Sequence, residues 1–364
     1  MHIVIDSNIP FITGSLDRVE QVEYLPYTEI TNEKLRNTDA SAIIIRTRTV
    51  CDEKLLKDTK VRFIASATAG FDHIDTQYCQ SKGIKWVNAP ACNALAVAQY
   101  IASVLSFFIR RGRIATQGKT IGIVGVGAVG SRVEKLAKQM GFNVLLNDPP
   151  RARAEGNEGF VSLDKICEKA DIITFHTPLT MEGEDKTFHL AGKDFFEKLQ
   201  KKPIIINTAR GEIIDSKVLT QRIRVRKISY LVIDCWENEP AIDTNLLAMT
   251  TLATPHIAGY SADGKANATE QCVRAVSKFF NLNRDSWKAA NLPQPVFLPK
   301  MQHMKLEYFY LKTFDIERET QILKSAPQLF EQQRSFIPLR REPKAYFDFL
   351  NPELVEQLGD FWEE

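Results

Sequence analysis

Gly125, Gly127 and Gly130 stand in G-x-G-x-x-G spacing, within the stretch Thr120-Ile-Gly-Ile-Val-Gly-Val-Gly-Ala-Val-Gly-Ser131. In such a spacing the first glycine permits a tight turn, and the second lets backbone N–H groups approach a pyrophosphate. The third allows a helix to pack closely on a strand. Asp148 follows about 20 residues later, where a carboxylate can accept hydrogen bonds from the ribose hydroxyls of an adenine dinucleotide. That carboxylate would repel a 2′-phosphate, which favours NAD over NADP. Arg151 is the counter-argument, because a nearby guanidinium can hold that phosphate.

A second set of groups has the chemistry that a bound nicotinamide needs beside it. Arg210 lies in Asn-Thr-Ala-Arg-Gly, Glu239 in Asp-Cys-Trp-Glu-Asn-Glu-Pro and His256 in Ala-Thr-Pro-His-Ile-Ala-Gly. A guanidinium can grip a carboxylate with two hydrogen bonds and fix the neighbouring carbinol carbon. An imidazole can take the hydroxyl proton and return it in the reverse direction. A carboxylate on the far imidazole nitrogen orients the ring and stabilises its protonated form. Together these are the services that hydride transfer from a 2-hydroxy acid requires. Singly, each has an ordinary structural reading, and on spacing alone His73, His176 and His189 compete with His256.

The elements that must position these groups alternate along the chain. Ile121 to Val124 is an apolar run without alternation, as a strand covered on both faces should be. Val133, Leu136, Ala137 and Met140 then recur at helical spacing. The helix N-terminus so formed points its dipole and free N–H groups at the phosphate site. Strands are expected at Phe142–Leu146, Asp171–Phe175, Pro203–Asn207 and Ile228–Ile233, each ending in a polar turn, with a helix from Ser162 to Lys169. This is the pattern of a doubly wound parallel sheet that shows its strand ends to one crevice.

Before it, strands at Met1–Asp6, Ala42–Ile45, Val61–Ala65 and Ile84–Val87 argue for another α/β unit without a nucleotide fingerprint. Its strand ends carry Arg46-Thr-Arg-Thr49 and Ser66-Ala-Thr-Ala-Gly70, which read equally as substrate contacts and as ordinary turns. Asn93 to Ile109 reads as a largely buried helix, and Ala262 to Phe280 as an amphipathic one. Beyond Pro293, Pro295 and Pro299 the aromatic content is too high for a disordered tail. A small third domain that packs against another chain is expected there.

The 364 residues carry a net charge of +2, with 44% hydrophobic and 25% charged residues, so neither a nucleic-acid nor a membrane partner is indicated. Six cysteines without C-x-x-C spacing indicate neither a zinc site nor a disulfide framework. No metal is expected. The start Met-His-Ile-Val-Ile-Asp reads as a strand rather than a leader, and no apolar run is long enough to span a bilayer. A cytoplasmic location is the resulting expectation.

In these motifs the chain resembles the D-isomer-specific 2-hydroxyacid dehydrogenase family over nearly all of residues 1 to 285. The markers, in order, are Gly125-Val-Gly-Ala-Val-Gly130, Asn-Thr-Ala-Arg210-Gly, the Glu239-Pro pair and the Pro-His256 pair. Further segments resemble the branch of the family that acts on 4-phospho-D-erythronate in vitamin B6 biosynthesis. They are Ala67-Thr-Ala-Gly-x-Asp-His73, Asn-Asp148-Pro-Pro-Arg151-Ala, Phe175-His-Thr177-Pro-Leu, Pro255-His-Ile-Ala-Gly259-Tyr260-Ser, Phe314-Asp-Ile-Glu-Arg and Pro338-Leu-Arg-Arg-Glu342.

The resemblance implies a Rossmann-type parallel sheet inserted into a second, flavodoxin-like α/β substrate domain, followed by a small α+β dimerisation domain. The implied boundaries are 1–92 and 257–285 for substrate, 93–256 for NAD and 286–364 for the homodimer contact. It makes Arg210, Glu239 and His256 catalytic. Gly125, Gly127, Val129, Gly130, Asp148, Thr177, Asp234 and Gly259 would hold NAD, and Arg46, Thr47, Thr68 and Tyr260 would touch the substrate. Arg46 and Arg48 are the first candidates to hold the substrate phosphate, with Arg340 or Arg341 of the partner subunit as second candidates. Thr47, Phe71, Ala91 and Gln99 depart from the branch's usual residues, and none of these removes a catalytic group. The alternatives are a relative acting on 3-phosphoglycerate or glyoxylate, and an NAD(H)-sensing corepressor built on the same fold.

Overall fold

The computed structural model describes residues 1–17, 21–296 and 304–362. The chain divides into two compact units: Met1–Asn93 with Ser261–Gln294, and Ala94–Tyr260 with Pro295–Glu364. In sequence, the second unit therefore interrupts the first.

In the first unit, among the described residues, a five-stranded sheet runs in the order β2-β1-β3-β4-β5. The strands are β1 (His2–Asp6), β2 (Gln21–Leu25), β3 (Ala40–Ile45), β4 (Phe63–Ser66) and β5 (Lys85–Val87), and every pairing is parallel. The isoleucines of β3 are fully buried because helices and loops cover both faces, which is why that strand shows no alternation in sequence. Strand β2 was not expected. It is an edge strand whose outer residues Gln21 and Glu23 break the apolar pattern. Helix Ala262–Phe280 is capped by Ser261, which accepts from Gly264 N–H, and its Cys272, Val273 and Val276 fill the core above β4.

The second unit repeats the architecture. Strands β6 (Thr120–Val124), β7 (Asn143–Asn147), β8 (Ile172–Phe175), β9 (Ile204–Asn207), β10 (Tyr230–Ile233) and β11 (Leu252–Ala253) form a parallel sheet in the order β11-β10-β9-β8-β6-β7. The strand order reverses between β6 and β8, which is where open α/β sheets bind ligands. Helix Ala94–Arg110 lies buried against helix Ala128–Gln139 on one face. Helices Leu163–Lys169 and Lys193–Glu197 contribute to the core on the other.

The C-terminal segment carries the helices Leu306–Thr313, Ile316–Ser325, Phe330–Phe336 and Pro352–Leu358, with 3-10 turns between and after them, and Arg340 sits in a β-bridge. Phe309, Tyr310, Phe314 and Trp362 enter the same core as Tyr100, Val104 and Phe108. Ser103 Oγ donates to the Tyr310 carbonyl at 3.0 Å, tying helix to helix. Each of these aromatic side chains, once buried, stabilises the unit by about 2–3 kcal/mol. Among the described residues no helix is long and apolar enough to cross a membrane.

Candidate active site

The glycine loop after β6 shows a separate physical reason for each glycine. A Cβ at Gly125, where φ is +87°, would lie 2.7 Å from the Thr177 nitrogen and 2.8 Å from the His176 carbonyl carbon. A Cβ at Gly130 would lie 2.0 Å from the Gly125 oxygen, so helix Ala128–Gln139 can sit on its own strand only if that residue is glycine. At Gly127 a Cβ would meet nothing within 4 Å, so this glycine faces open space at the helix N-terminus. Val129 is half-buried in the first turn of the same helix.

Asp148 ends the next strand and turns back onto the loop. Its Oδ2 accepts from Val126 N–H at 2.8 Å, and its Oδ1 caps helix Pro149–Glu155 through Arg151 N–H at 3.1 Å. The Arg151 guanidinium is engaged by Glu155, at 2.6 and 2.7 Å, and by the Val126 carbonyl at 2.6 Å. An arginine so neutralised is not a free cation for a 2′-phosphate, and the loop therefore suits NAD. Across from Gly125, the Thr177 hydroxyl is buried without a hydrogen-bond partner among the described residues. An orphaned buried hydroxyl, an open glycine face and helix N–H groups together fit a polar ligand lying on this loop.

The catalytic candidates come from the ends of three consecutive strands, β9, β10 and β11. Asn207 closes the turn after β9: its Nδ2 donates to the Arg210 carbonyl at 2.8 Å and its Oδ1 accepts from Ala209 N–H at 3.1 Å. A Cβ at Gly211 would fall 2.0 Å from the Trp236 carbonyl carbon, so the Arg210 turn packs backbone to backbone on the turn that carries Glu239. Trp236 anchors that second turn by donating its indole N–H to the Thr254 carbonyl at 2.9 Å. Its backbone N–H donates to Glu239 Oε2 at 3.2 Å.

Glu239 Oε1 meets His256 Nδ1 at 2.5 Å. Burial raises the Glu239 carboxyl, but the hydrogen bond and charge of His256, helped by Arg334, outweigh it and hold the group below the usual carboxylate range. An ionised Glu239 can only accept, so Nδ1 carries the proton and Nε2 is left as the imidazole's base.

His256 adopts a left-handed backbone, with φ +55°, and Asp234 stabilises it. Asp234 is 1% exposed. Its carboxylate accepts from Thr254 Oγ1 and Ile257 N–H, both at 2.7 Å, and from Ala258 N–H at 3.0 Å. His256 N–H donates to the Asp234 carbonyl at 2.8 Å. What the structure displays for Asp234 is thus a role beneath the histidine turn. Gly259 follows, half-buried, and then Tyr260, whose hydroxyl accepts from Arg334 Nε at 3.0 Å.

The competing histidines are set apart by their partners. His176 lies between the hydroxyls of Thr174 and Thr208, at 3.0 and 3.2 Å, and burial lowers its pKa to about 3. His73 meets Ser66 Oγ at 2.8 Å, and burial lowers it to about 4 despite Asp72. Both are neutral structural groups. His189 pairs with Glu237 at 2.8 Å, but that carboxylate also holds Ser216 N–H at 3.2 Å at the start of helix Ser216–Arg224.

In the first unit, Arg46 Nε donates to the fully buried Asp6 at 2.8 Å. Thr47 is exposed beside it. Thr68 Oγ1 shares a hydrogen bond of 2.7 Å with Ser66 and donates to the Gly70 carbonyl at 2.9 Å.

Arg340 does not serve as an anion contact. Its guanidinium is saturated by the carbonyls of Ala96, Ile257, Ala258 and Tyr260 and by the Gln99 side chain. Sequence reasoning missed Arg334, which lies in no recognisable motif and meets Tyr260 only through the fold.

Residues 109–258 match the model for the D-isomer specific 2-hydroxyacid dehydrogenase, NAD binding domain. The chain is 48% identical to an erythronate-4-phosphate dehydrogenase of Bacteroides thetaiotaomicron, over 95% of this chain and 98% of that one. It is 41% identical to the enzyme of that name from Porphyromonas gingivalis, over 95% of each. Among solved structures, the NAD-bound 3-phosphoglycerate dehydrogenase of Entamoeba histolytica aligns with a TM-score of 0.66 at 26% identity, covering 80% of this chain and 99% of that one.

Proposed function

Because the chain belongs to the D-isomer specific 2-hydroxyacid dehydrogenase family, we propose that it oxidises 4-phospho-D-erythronate at C2 to the 2-oxo acid, with NAD, in the synthesis of vitamin B6. The observation that carries the chemistry is the 2.5 Å contact between Glu239 and His256, set beside the turn that presents Arg210.

NAD, when bound, supplies the ring that accepts a hydride. The loop Gly125–Gly130, Asp148 and Thr177 are the residues that would hold it, with Asp234 and Gly259 supporting the nicotinamide side. His256 Nε2 takes the C2 hydroxyl proton, and the ionised Glu239 compensates the positive ring that results. Arg210 grips the C1 carboxylate and fixes C2 in place. Arg46, Thr47, Thr68 and Tyr260 complete the substrate contacts in this reading.

The curated relatives carry the choice of 4-phosphoerythronate over 3-phosphoglycerate or glyoxylate. The segment from residue 286 serves as a dimerisation domain in a cytoplasmic homodimer that binds no nucleic acid. The support for dimerisation is its exposed apolar surface: Phe336 is 82% exposed, and Tyr308 and Phe349 are exposed as well. Sedimentation of the purified protein tests the dimer.

The reaction is tested by NADH absorbance at 340 nm with 4-phosphoerythronate, erythronate and 3-phosphoglycerate, including a 2-oxo acid to reoxidise retained cofactor. Turnover of 4-phosphoerythronate alone is expected, and preference for 3-phosphoglycerate would overturn the assignment. Arg210→Lys keeps NAD binding but lowers kcat/KM by about 100-fold, since an ammonium cannot reproduce the bidentate grip.

A further inference from the structure

Two arginines of the C-terminal segment reach the histidine turn and use their guanidinium groups differently. Arg340 is wholly consumed by backbone carbonyls and Gln99, and so braces residues 257–260. Arg334 is held but not consumed. Phe330, at the start of the same short helix, is buried in the core of the second unit and fixes the helix there. Arg334 Nε donates to the Tyr260 hydroxyl, and its guanidinium carbon lies 5.8 Å from that ring's centroid. Nη1 reaches Glu331 only at 3.7 Å, beyond hydrogen-bonding distance, and Nη2 has no hydrogen bond among the described residues.

The charge of Arg334 is felt by Glu239, and Cys235 lies in the fields of both Arg334 and Arg210. The hydrogen bond to Tyr260 places Arg334 beside the His256 turn, within electrostatic reach of Glu239. A guanidinium that is oriented by one firm hydrogen bond, with two nitrogens still able to donate, is prepared for an oxyanion.

We infer that Arg334 contacts an oxyanion of the substrate through Nη1 and Nη2, so that with Arg210 the chain presents a pair of guanidinium groups to a doubly anionic acid. Tyr260 then acts as the fixture that aims Arg334, as well as a contact of its own. The inference deepens the proposed reaction and rests on it for the identity of the substrate. The oxyanion belongs either to the carboxylate or to the phosphate, and the two substrates 4-phosphoerythronate and erythronate separate them.

The experiment uses full-length protein with Arg334→Gln, Arg334→Lys and Tyr260→Phe, measured with NAD and both substrates. Loss of one charged contact should raise the KM of Arg334→Gln for 4-phosphoerythronate by about 10- to 100-fold, with kcat changed far less. Lysine should restore part of it, and Tyr260→Phe, which loses the fixture but keeps the guanidinium charge, should raise KM as well. A rise confined to the phosphorylated substrate identifies the phosphate, and an equal rise with both identifies the carboxylate. An unchanged KM in Arg334→Gln for both substrates overturns the inference.

If wild type does not turn over 4-phosphoerythronate, the proposed reaction falls on its own. The clamp is then read from the shift in Tm that inorganic phosphate gives the NAD-bound protein. A shift present in wild type and lost in Arg334→Gln sustains it, and a shift equal in both or absent from wild type overturns it.

Discussion

The two sheets have the same strand order up to their fifth strands, yet they treat the switch point differently. In the first unit, the ends of β1 and β3 are joined by side chains, with the buried Asp6 paired to Arg46. In the second, the ends of β6 and β8 are held apart by nothing larger than glycine, and the Thr177 hydroxyl beside the loop is buried without a partner among the described residues. One fold therefore offers a crevice twice, and only one copy is left as a polar cradle. What separates a filled switch point from a nucleotide site is the absence of side chains at Gly125, Gly127 and Gly130.

The sharpest way to break the contrast is to fill the second crevice. Gly125→Ala places a methyl 2.7 Å from the Thr177 nitrogen and asks alanine to hold a φ of +87°. A loss of about 3 kcal/mol in unfolding free energy is expected, with loss of NAD binding, by denaturant titration and fluorescence titration. Wild-type stability in that variant would mean that the loop can move aside.

Opening the first crevice should cost somewhat less. Arg46→Met leaves Asp6 buried, with Asn8 N–H, at 2.9 Å, as the one donor still on it among the described residues. Roughly 2–3 kcal/mol should be lost, below the full penalty for a buried pair because the Arg46 side chain is 27% exposed. Adding Asp6→Asn should recover part of the loss. If the single and double variants are equally unstable, the ion pair is not what fills that switch point.

A smaller change isolates the orphaned hydroxyl. Thr177→Val keeps the shape and removes a buried group that has no partner among the described residues, so the unliganded chain should gain a few tenths to about 1 kcal/mol. The same variant should bind NAD about three- to tenfold more weakly, by calorimetry. Opposite signs for stability and affinity are the expected mark of a group kept for its ligand.

Much of this was legible in the sequence, and the gaps have physical causes. The strands β3, β6, β8, β9 and β10 announce themselves as unbroken apolar runs because both their faces are covered. Edge strand β2 and the two-residue β11 do not, since Gln21 and Glu23 face outward and Leu252–Ala253 is too short for any period to register. Residue types at strand ends offered the pairing of Glu239 with His256 but left three other histidines in competition, and the family resemblance singled it out. The grip of Asp234 on the backbone around His256 was not readable, because a carboxylate holding N–H groups leaves no trace in spacing. Arg334 and Arg340 could not be told apart either: saturation by carbonyls is a property of the packed chain.

Each unit also holds one neutral histidine against hydroxyl groups, the buried His73 beyond β4 and the half-buried His176 after β8. Burial lowers them from 6.5 to about 4 and about 3. The unfolded chain takes up both protons as pH falls through 6.5, while the folded chain refuses them until about 4 and about 3. The stability they support is therefore full above pH 6.5 and drains away as the medium is acidified. Glu239, also held low, adds to the same trend only below the ordinary carboxylate range. Between roughly pH 6 and pH 4.5, His73→Gln and His176→Gln should each remove about one proton from the slope of unfolding free energy, or ~1.4 kcal/mol per pH unit. A slope unchanged in His176→Gln but reduced in His73→Gln would show that the second unit admits the proton. The crevice left open for a ligand would then also be the one open to acid.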